Sequence, residues 1–397
     1  MKTTIKYKSV LSKTKKEVQM FKCPKCGTEF TRKDNLDRHM KNDVCSRNGD
    51  SAPKKRNGKP LSEQLYQFLK GKKKTMEELS DKFDTGIKNI RKAIDELRNR
   101  GVIIDVIDDK ISLGKEIASP SEPIDIPVEV YKNRWIQFGV ISDAHLNSKY
   151  ERQDVLNHAY DIFEKEGVKV VLNPGNIIDG YGRLNQFEVF HIGTDDQVRY
   201  LLEHYPQRKD ITTYFCTGMC HEGWIVKREH IDIGKHIELT AKDGGRDDLK
   251  FLGHIEADVK VKIGKRPTRI RIFHPGGGSA YSLSYKPQKI IESLQGGQKP
   301  DIMIVGHYHK LGYFQIRNVH VFLAGCAQDQ SPFMRSRHIA AHVGFWIIRA
   351  HIAPDGSVNM IDPRCVQYYD KDYYTGKSWE RSPFPQEETA EWTYVWE

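Results

Sequence analysis

At 397 residues, with 38% hydrophobic and 29% charged side chains, the chain has the length and composition of two or three water-soluble domains with sizeable cores. No apolar stretch approaches the about 18 residues of a membrane span, and the N-terminal MKTTIKYKSVLSKTKK lacks the apolar run of a signal peptide, so an intracellular, cytoplasmic protein with no membrane partner is expected. Residues 1–75 hold 21 Lys/Arg against 7 Asp/Glu, a local balance of +14 in a chain of net charge +10, which leaves −4 for the remainder. The basic segment suits a polyanion, and the rest need not.

After a basic arm (1–20), residues 21–46 read FKCPKCGTEFTRKDNLDRHMKNDVCS. Cys23 and Cys26 on a short hairpin, with His39 and Cys45 at the end of a helix, can close a tetrahedral zinc site, and Phe21, Phe30 and Leu36 supply the small core. The stretch resembles the ββα zinc finger with a final Cys in place of the second His. With His39 as the seventh helical residue, the positions that face bases in DNA-reading fingers are Arg32, Asn35 and Arg38. A structural or protein-binding finger is the alternative.

A basic linker (47–60) follows. Leu65, Phe68 and Leu69, then Met76, Leu79 and Phe83, then Ile87, Ile90, Ile94 and Leu97 mark three short helices within 61–114. NRGVIIDVIDDKISLG alternates as two strands about an Asp-Asp turn. This order resembles a winged helix-turn-helix, whose third helix would offer Lys88, Asn89, Arg91 and Lys92 to a major groove. The wing, with Asp105, Asp108 and Asp109, is a poor phosphate contact.

A second linker (115–133) leads to residues 134–366, where apolar strands alternate with amphipathic segments near 153–165 and 195–205, an α/β layered pattern. WIQFGVISDAH, VKVVLNPGNIIDG, ITTYFCTGMCHE, TRIRIFHPGGG and PDIMIVGHYH each end an apolar run in metal-type residues. Asp143 and His145 sit two apart, as do His307 and His309, so each pair can point to one side at a strand end. His221 follows a strand and a Gly, and His274 precedes a flexible PGGG. An aromatic tail (367–397) closes the chain.

These five motifs, in this order, resemble the calcineurin-like metallophosphoesterases, including nucleases of double-strand-break repair and related phage-encoded proteins; a phage-encoded chain would work in the host cytoplasm. The fold implied is a layered α/β β-sandwich, preceded here by the finger and the winged helix. The resemblance implies that Asp143, His145 and His309 hold one divalent metal and His274 and His307 another, manganese, iron or zinc, beside the structural zinc of the finger. It makes His221 the acid that protonates a leaving oxygen, with Glu222 orienting it, and a metal-dependent phosphodiesterase, a nuclease acting on DNA, the expected function. A phosphatase and a non-catalytic DNA-binding scaffold are the alternatives. Two positions depart from the family: Asn176 stands where a bridging Asp is usual, and Cys220 where an Asn is usual. A Cys220 thiolate could replace the charge missing at Asn176, or be an ordinary half-buried thiol. Asp179 lies at a position that usually supports the ligands from behind. Arg335 and Arg337 are candidate phosphate contacts.

Overall fold

The computed structural model describes residues 21–24, 27, 29–30, 33–41, 59–117, 123–126 and 130–368. Two compact units divide at Gly114 and Lys115. In the first, β1 (Phe21–Lys22) pairs antiparallel with β2 (Glu29–Phe30), and α1 (Lys33–Lys41) follows. His39 is therefore the seventh residue of its helix. Cys23 is buried against Leu36. Cys26, Cys45 and Arg32 lie outside the described residues, as does the Arg38 side chain.

Beyond it come α2 (Leu61–Leu69), β3 (Lys74–Thr75), α3 (Met76–Phe83), α4 (Ile87–Asn99), β4 (Ile104–Ile107) and β5 (Lys110–Leu113). Leu65, Leu69, Leu79, Ile90, Ile94 and Leu97 are buried, so the helical spacing of apolar residues is the inward face of three packed helices. Thr75 caps α3 through a reciprocal bond pair with Glu78. The hairpin turns at Asp108 and Asp109, both at positive φ (50° and 60°), the backbone that a tight two-residue turn between twisted strands requires.

In the second unit, β6 (Ile124–Asp125), β7 (Val130–Tyr131), β8 (Trp135–Val140), α5 (Gln153–Lys165), β9 (Val170–Asn173), α6 (Thr194–His204) and β10 (Thr212–Thr217) are followed by α7 (Glu222–Glu229), α8 (Ile233–Asp243) and β11 (Leu249–His254). Then come β12 (Glu256–Val261), β13 (Thr268–Phe273), α9 (Tyr285–Ser293), β14 (Ile302–Val305), β15 (Leu311–Ile316), β16 (Val319–Ala324), α10 (Pro332–Ser336), β17 (Val343–Ile352) and β18 (Val358–Tyr368). One sheet runs β11-β10-β9-β8-β17-β18, with β7 also on β8; the other runs β15-β16-β14-β13-β12-β6. Strands β8 to β11 are parallel neighbours, as are β13, β14 and β16.

The sheets pack face to face. Phe138, Val140 and Leu172 of the first share one core with Ile270, Ile272, Ile304 and Phe322 of the second. Helices cover both outer faces: Phe163 of α5 lies so close to β8 that a Cβ on Gly139 would come within 2.8 Å of its ring, and Ile291 of α9 packs on Met303, Val305 and Val321. Strands such as IMIV of β14 are thus buried on both sides, which is why they read as continuous apolar runs rather than alternating ones.

Two expected boundaries shift. The segment read as a linker, 115–133, contributes β6 and β7 to the two sheets, because runs of two residues are too short to carry a periodic signal. Tyr368, expected in the tail, ends β18, and its hydroxyl meets His158 Nδ1 at 2.6 Å.

Candidate metal centre

Every candidate residue of the second unit follows the C-terminal end of a strand. Asp143 and His145 follow β8, Asn176 and Asp179 follow β9, Cys220 and His221 follow β10, His274 follows β13, and His307 and His309 follow β14. Backbone bonds lace these loops together: Asp143 N donates to Gly175 O at 3.0 Å, His145 N to Asn176 O at 2.9 Å, and Gly306 N to Phe273 O at 3.0 Å. The two sheets are joined at the site itself, where His307 N donates to Asp143 Oδ2 at 3.0 Å. Asp143, His145, Asn176, His221, His307 and His309 all have φ between 46° and 73°. Left-handed backbone costs a non-glycine residue roughly 1–3 kcal/mol and persists only where surrounding contacts enforce it, so strain concentrates where these side chains are aimed.

Asp143, His145 and His309 bring their ligand atoms together. Asp143 Oδ1 lies 3.3 Å from His309 Nε2 and 3.7 Å from His145 Nε2, and the two imidazole nitrogens are 3.2 Å apart. Asn176 closes on the same group, its Nδ2 donating to Asp143 Oδ1 at 3.3 Å. His274 Nε2 lies 4.0 Å from Asp143 Oδ1. Its Nδ1 meets the Pro174 carbonyl at 2.8 Å; since a carbonyl only accepts, Nδ1 carries the proton and Nε2 presents a lone pair.

That lone pair and Asn176 Oδ1 are buried and have no hydrogen-bond partner. Both face the small space left by Gly218, where a Cβ would come within 2.8 Å of His274 Nε2 and 2.7 Å of Asn176 Oδ1. Buried acceptors that meet no donor are satisfied by a cation, so the donor set fits a metal. His307 stands beside His274, ring centroids 5.3 Å apart, but its Nε2 is engaged by Gly277 O at 2.6 Å.

The electrostatics agree with a cation site. Burial alone would raise the Asp143 carboxyl, yet His274 and His309 beside it hold it well below the usual carboxylate range. At His145 alone the electrostatics favour a proton instead: burial would lower this ring, but the carboxylates of Asp143 and Asp179 outweigh it and raise the ring to about 9, so a metal has to displace that proton. Burial pushes His274 down to about 3 and lowers His307 and His309 as well, keeping three imidazoles neutral and able to ligate.

A second gathering, His145, Asp179 and His221, is closed by hydrogen bonds. Asp179 Oδ1 accepts from His145 Nδ1 at 2.7 Å, while Asp179 O accepts from His221 Nδ1 at 2.8 Å. His221 thus keeps its proton on Nδ1 and turns Nε2 outward from a ring that is 25% exposed. The orienting role expected of Glu222 falls to Asp179. Glu222 is fully buried and accepts instead from the backbone N–H groups of Asn176 (3.0 Å), Ile177 (2.7 Å) and Gly218 (2.6 Å), which ties the β9 and β10 loops together. Burial lifts its carboxyl to about 7 in spite of those three bonds.

Cys220 was the other open question. Its Sγ joins neither gathering of ligand atoms among the described residues, and burial raises its thiol above the ordinary value rather than favouring a thiolate. Ser142, which donates to Asp143 Oδ2 at 2.6 Å, was not singled out in the sequence, although it stands next to the ligand in SDAH. In the first unit, Lys88, Asn89, Arg91 and Lys92 are exposed along α4, and Asn35 Nδ2 donates to Asp81 Oδ1 at 3.4 Å.

Residues 21–42 match the C2H2-type zinc-finger family. The match ends before Cys45. No curated protein matches the chain. Solved structures similar to it include an archaeal phosphodiesterase, 13% identical over 58% of this chain and 99% of that one, with a TM-score of 0.31. Vps29 of Entamoeba histolytica complexed with zinc is 13% identical over 59% and 99%, TM-score 0.27. A predicted phosphoesterase of Streptococcus pneumoniae TIGR4 is 12% identical over 58% and 98%, TM-score 0.27. Values this low carry no weight for activity, which has to be read from the geometry.

Proposed function

We propose that the chain is a divalent-metal-dependent phosphodiesterase, a nuclease, brought to DNA by its N-terminal unit. The observation that carries the reading is the meeting of Asp143, His145 and His309 beside a half-exposed His221 whose tautomer is set by Asp179. Asp143, His145 and His309 would hold one ion, and His274 with Asn176 would hold a second. Manganese, iron and zinc all suit such an imidazole and carboxylate set. A divalent ion there acts as a Lewis acid on a phosphoryl group and lowers the pKa of water.

The chain's own residues do the rest. His221, with Nδ1 committed to Asp179 O, has Nε2 available to deliver a proton to the departing oxygen of a phosphodiester. Asp179 fixes that ring and the His145 ring at once, and Glu222 holds the loops on which Asn176 and His221 sit. In the N-terminal unit, three helices and a hairpin resemble a winged helix, and the exposed basic stretch of α4 supplies Lys88, Arg91 and Lys92 for phosphate contact and Asn89 for a base edge. The finger, with its structural zinc, adds Asn35 and Arg38.

Hydrolysis of bis-p-nitrophenyl phosphate with added manganese tests the enzyme directly, because it asks for diester chemistry without the natural substrate. No turnover above the Asp143→Asn variant, which removes the carboxylate of the proposed ion site, would leave a metal-stabilised DNA-binding scaffold. That second reading is favoured by one feature: Asp143 is the single carboxylate among the atoms gathered at the first ion site.

A further inference from the structure

Among the described residues of the second unit ten large apolar side chains are exposed, and nine of them, all but Met360, lie on segments that leave the metal-centre end of the sheets. Those segments are 180–193 after β9, Met219 after β10, 275–285 after β13, and 331–336 after β16. Five of the nine are aromatic: Phe187, Phe190, Tyr281, Tyr285 and Phe333. Phe187 is 79% exposed and Tyr281 is fully exposed. Apolar surface scattered by chance would not collect at one end of a sandwich.

These rings stand on anchored backbone. Phe190 N donates to Asn147 O at 3.0 Å and Lys149 N to Glu188 O at 2.7 Å, fastening the first segment two to four residues from His145. Asn185 Nδ2 donates to Asp179 Oδ2 at 2.8 Å, tying it also to the carboxylate behind the site. The third segment is pinned where Gly277 O accepts from His307 Nε2. Within these segments Arg183 and Arg335 stand against Glu188, and one residue beyond their ends come Lys286 and Arg337 against Asp179, a positive balance in a chain that is net negative beyond residue 75. The Arg337 guanidinium lies 6.0 Å over the Phe333 ring.

Fixed, exposed aromatic faces interleaved with cations match the chemistry of unpaired nucleobases on a phosphate backbone, since every base has a π-face and a duplex hides its own. We infer that this end of the second unit is a stacking platform for single-stranded nucleic acid, with Phe187 and Tyr281 taking bases on either side of the metal centre and Arg183, Arg335 and Arg337 following the backbone. This rests on the phosphodiesterase reading for what happens to the strand once bound, but not for the binding itself.

The test uses the full chain, with affinity measured through a fluorescent base analogue in a short oligothymidylate and by anisotropy for an end-labelled oligonucleotide of equal length made of abasic sites. Any contribution from the N-terminal unit is common to all variants. The double change Phe187→Ala with Tyr281→Ala weakens the base-bearing strand by about tenfold or more, the scale of losing base–aromatic stacks, while the abasic strand changes by less than about twofold. Met360→Ala, exposed elsewhere, changes neither, and equal melting temperatures show that all three proteins fold. Equal loss for both strands, no loss for either, or equal loss for a duplex of the same sequence overturns the platform. So does a loss of vesicle binding or of self-association in the double variant with nucleic-acid affinity intact, which would assign the face to a membrane or to a second copy. Hydrolysis of bis-p-nitrophenyl phosphate by the wild type, run alongside, separates the two ideas: an inactive protein that still discriminates bases overturns the hydrolase reading and leaves the platform standing.

Discussion

Asp179 Oδ1 lies 2.7 Å from His145 Nδ1, a buried carboxylate aligning an imidazole whose other nitrogen faces Asp143 and His309. The same carboxyl is held well down by its bonds with His145 and His221, which overcome the effect of burial. Carboxylates behind a ligating His set its tautomer and raise its basicity, and losing one costs about 10–100-fold in metal affinity. Asp179→Asn is therefore expected to weaken manganese binding by that factor in calorimetry. An unchanged affinity would mean that the bond is only structural.

His221→Ala leaves metal content nearly intact, because the Nδ1 of His221 is spent on Asp179 and its ring lies outside the Asp143, His145 and His309 group. Turnover of an unactivated DNA diester falls by about a hundredfold or more, the usual scale for a general acid. With a p-nitrophenyl leaving group, which needs no proton, the loss is smaller. Equal losses on the two substrates would assign His221 a binding role instead.

Cys220→Ser is expected to retain every metal equivalent. The thiol is in neither group of gathered ligand atoms among the described residues, and desolvation raises it, which favours the protonated form. Elemental analysis of purified wild type and variant reads this directly, and the disappearance of one equivalent would restore the idea that a thiolate replaces the charge absent at Asn176.

The contribution of His254 to stability should fall on mild acidification. Burial beside Thr217 and Lys227 depresses this imidazole from 6.5 to about 4. Between those values the unfolded chain binds a proton that the folded chain refuses, so the stability owed to His254 rises with pH across the window and is level above it. The difference in melting temperature between chelated wild type and His254→Asn, followed from pH 4 to 7, isolates this contribution from that of Glu222, whose raised carboxyl acts with the opposite sign. A variant with the same slope as wild type would remove His254 from the account.

Changing Lys88, Arg91 and Lys92 together to Ala is expected to weaken DNA binding uniformly across sequences. Each phosphate contact contributes about 0.9 to the slope of log affinity against log salt, so the slope drops by about that amount for every lysine or arginine that touched the backbone. Titrations of the full chain at several salt concentrations measure it. An unaltered slope would move the contact surface away from α4.

Much of this molecule could be read from local pattern. Leu65, Leu79, Ile90 and Leu97 announce helices because a 3.6-residue period puts them on one face, and the apolar runs before Asp143, Asn176, His221, His274 and His307 announce strands. Residues two apart at a strand end project together, so DAH and GHYH identify themselves as paired donors. The segments 153–165 and 194–204 are helical where their patterns indicate. Local pattern is silent where the deciding partner is distant. His145 meets His309 across 164 residues, and Asp179, rather than the adjacent Glu222, steadies His221 across 42.

What the sequence by itself determined was the inventory: which donors exist, that they follow strands, and that the N-terminal segment is basic. The tertiary structure alone decided which of them meet, that Cys220 joins neither group of ligand atoms, that Ile124–Asp125 and Val130–Tyr131 join sheets, and that nine exposed apolar residues among those described share one end. Those facts depend on strand order and on the packing of two sheets against each other. Both are set by the summed burial of a core such as Phe138, Ile272 and Phe322, which no window of neighbouring residues contains.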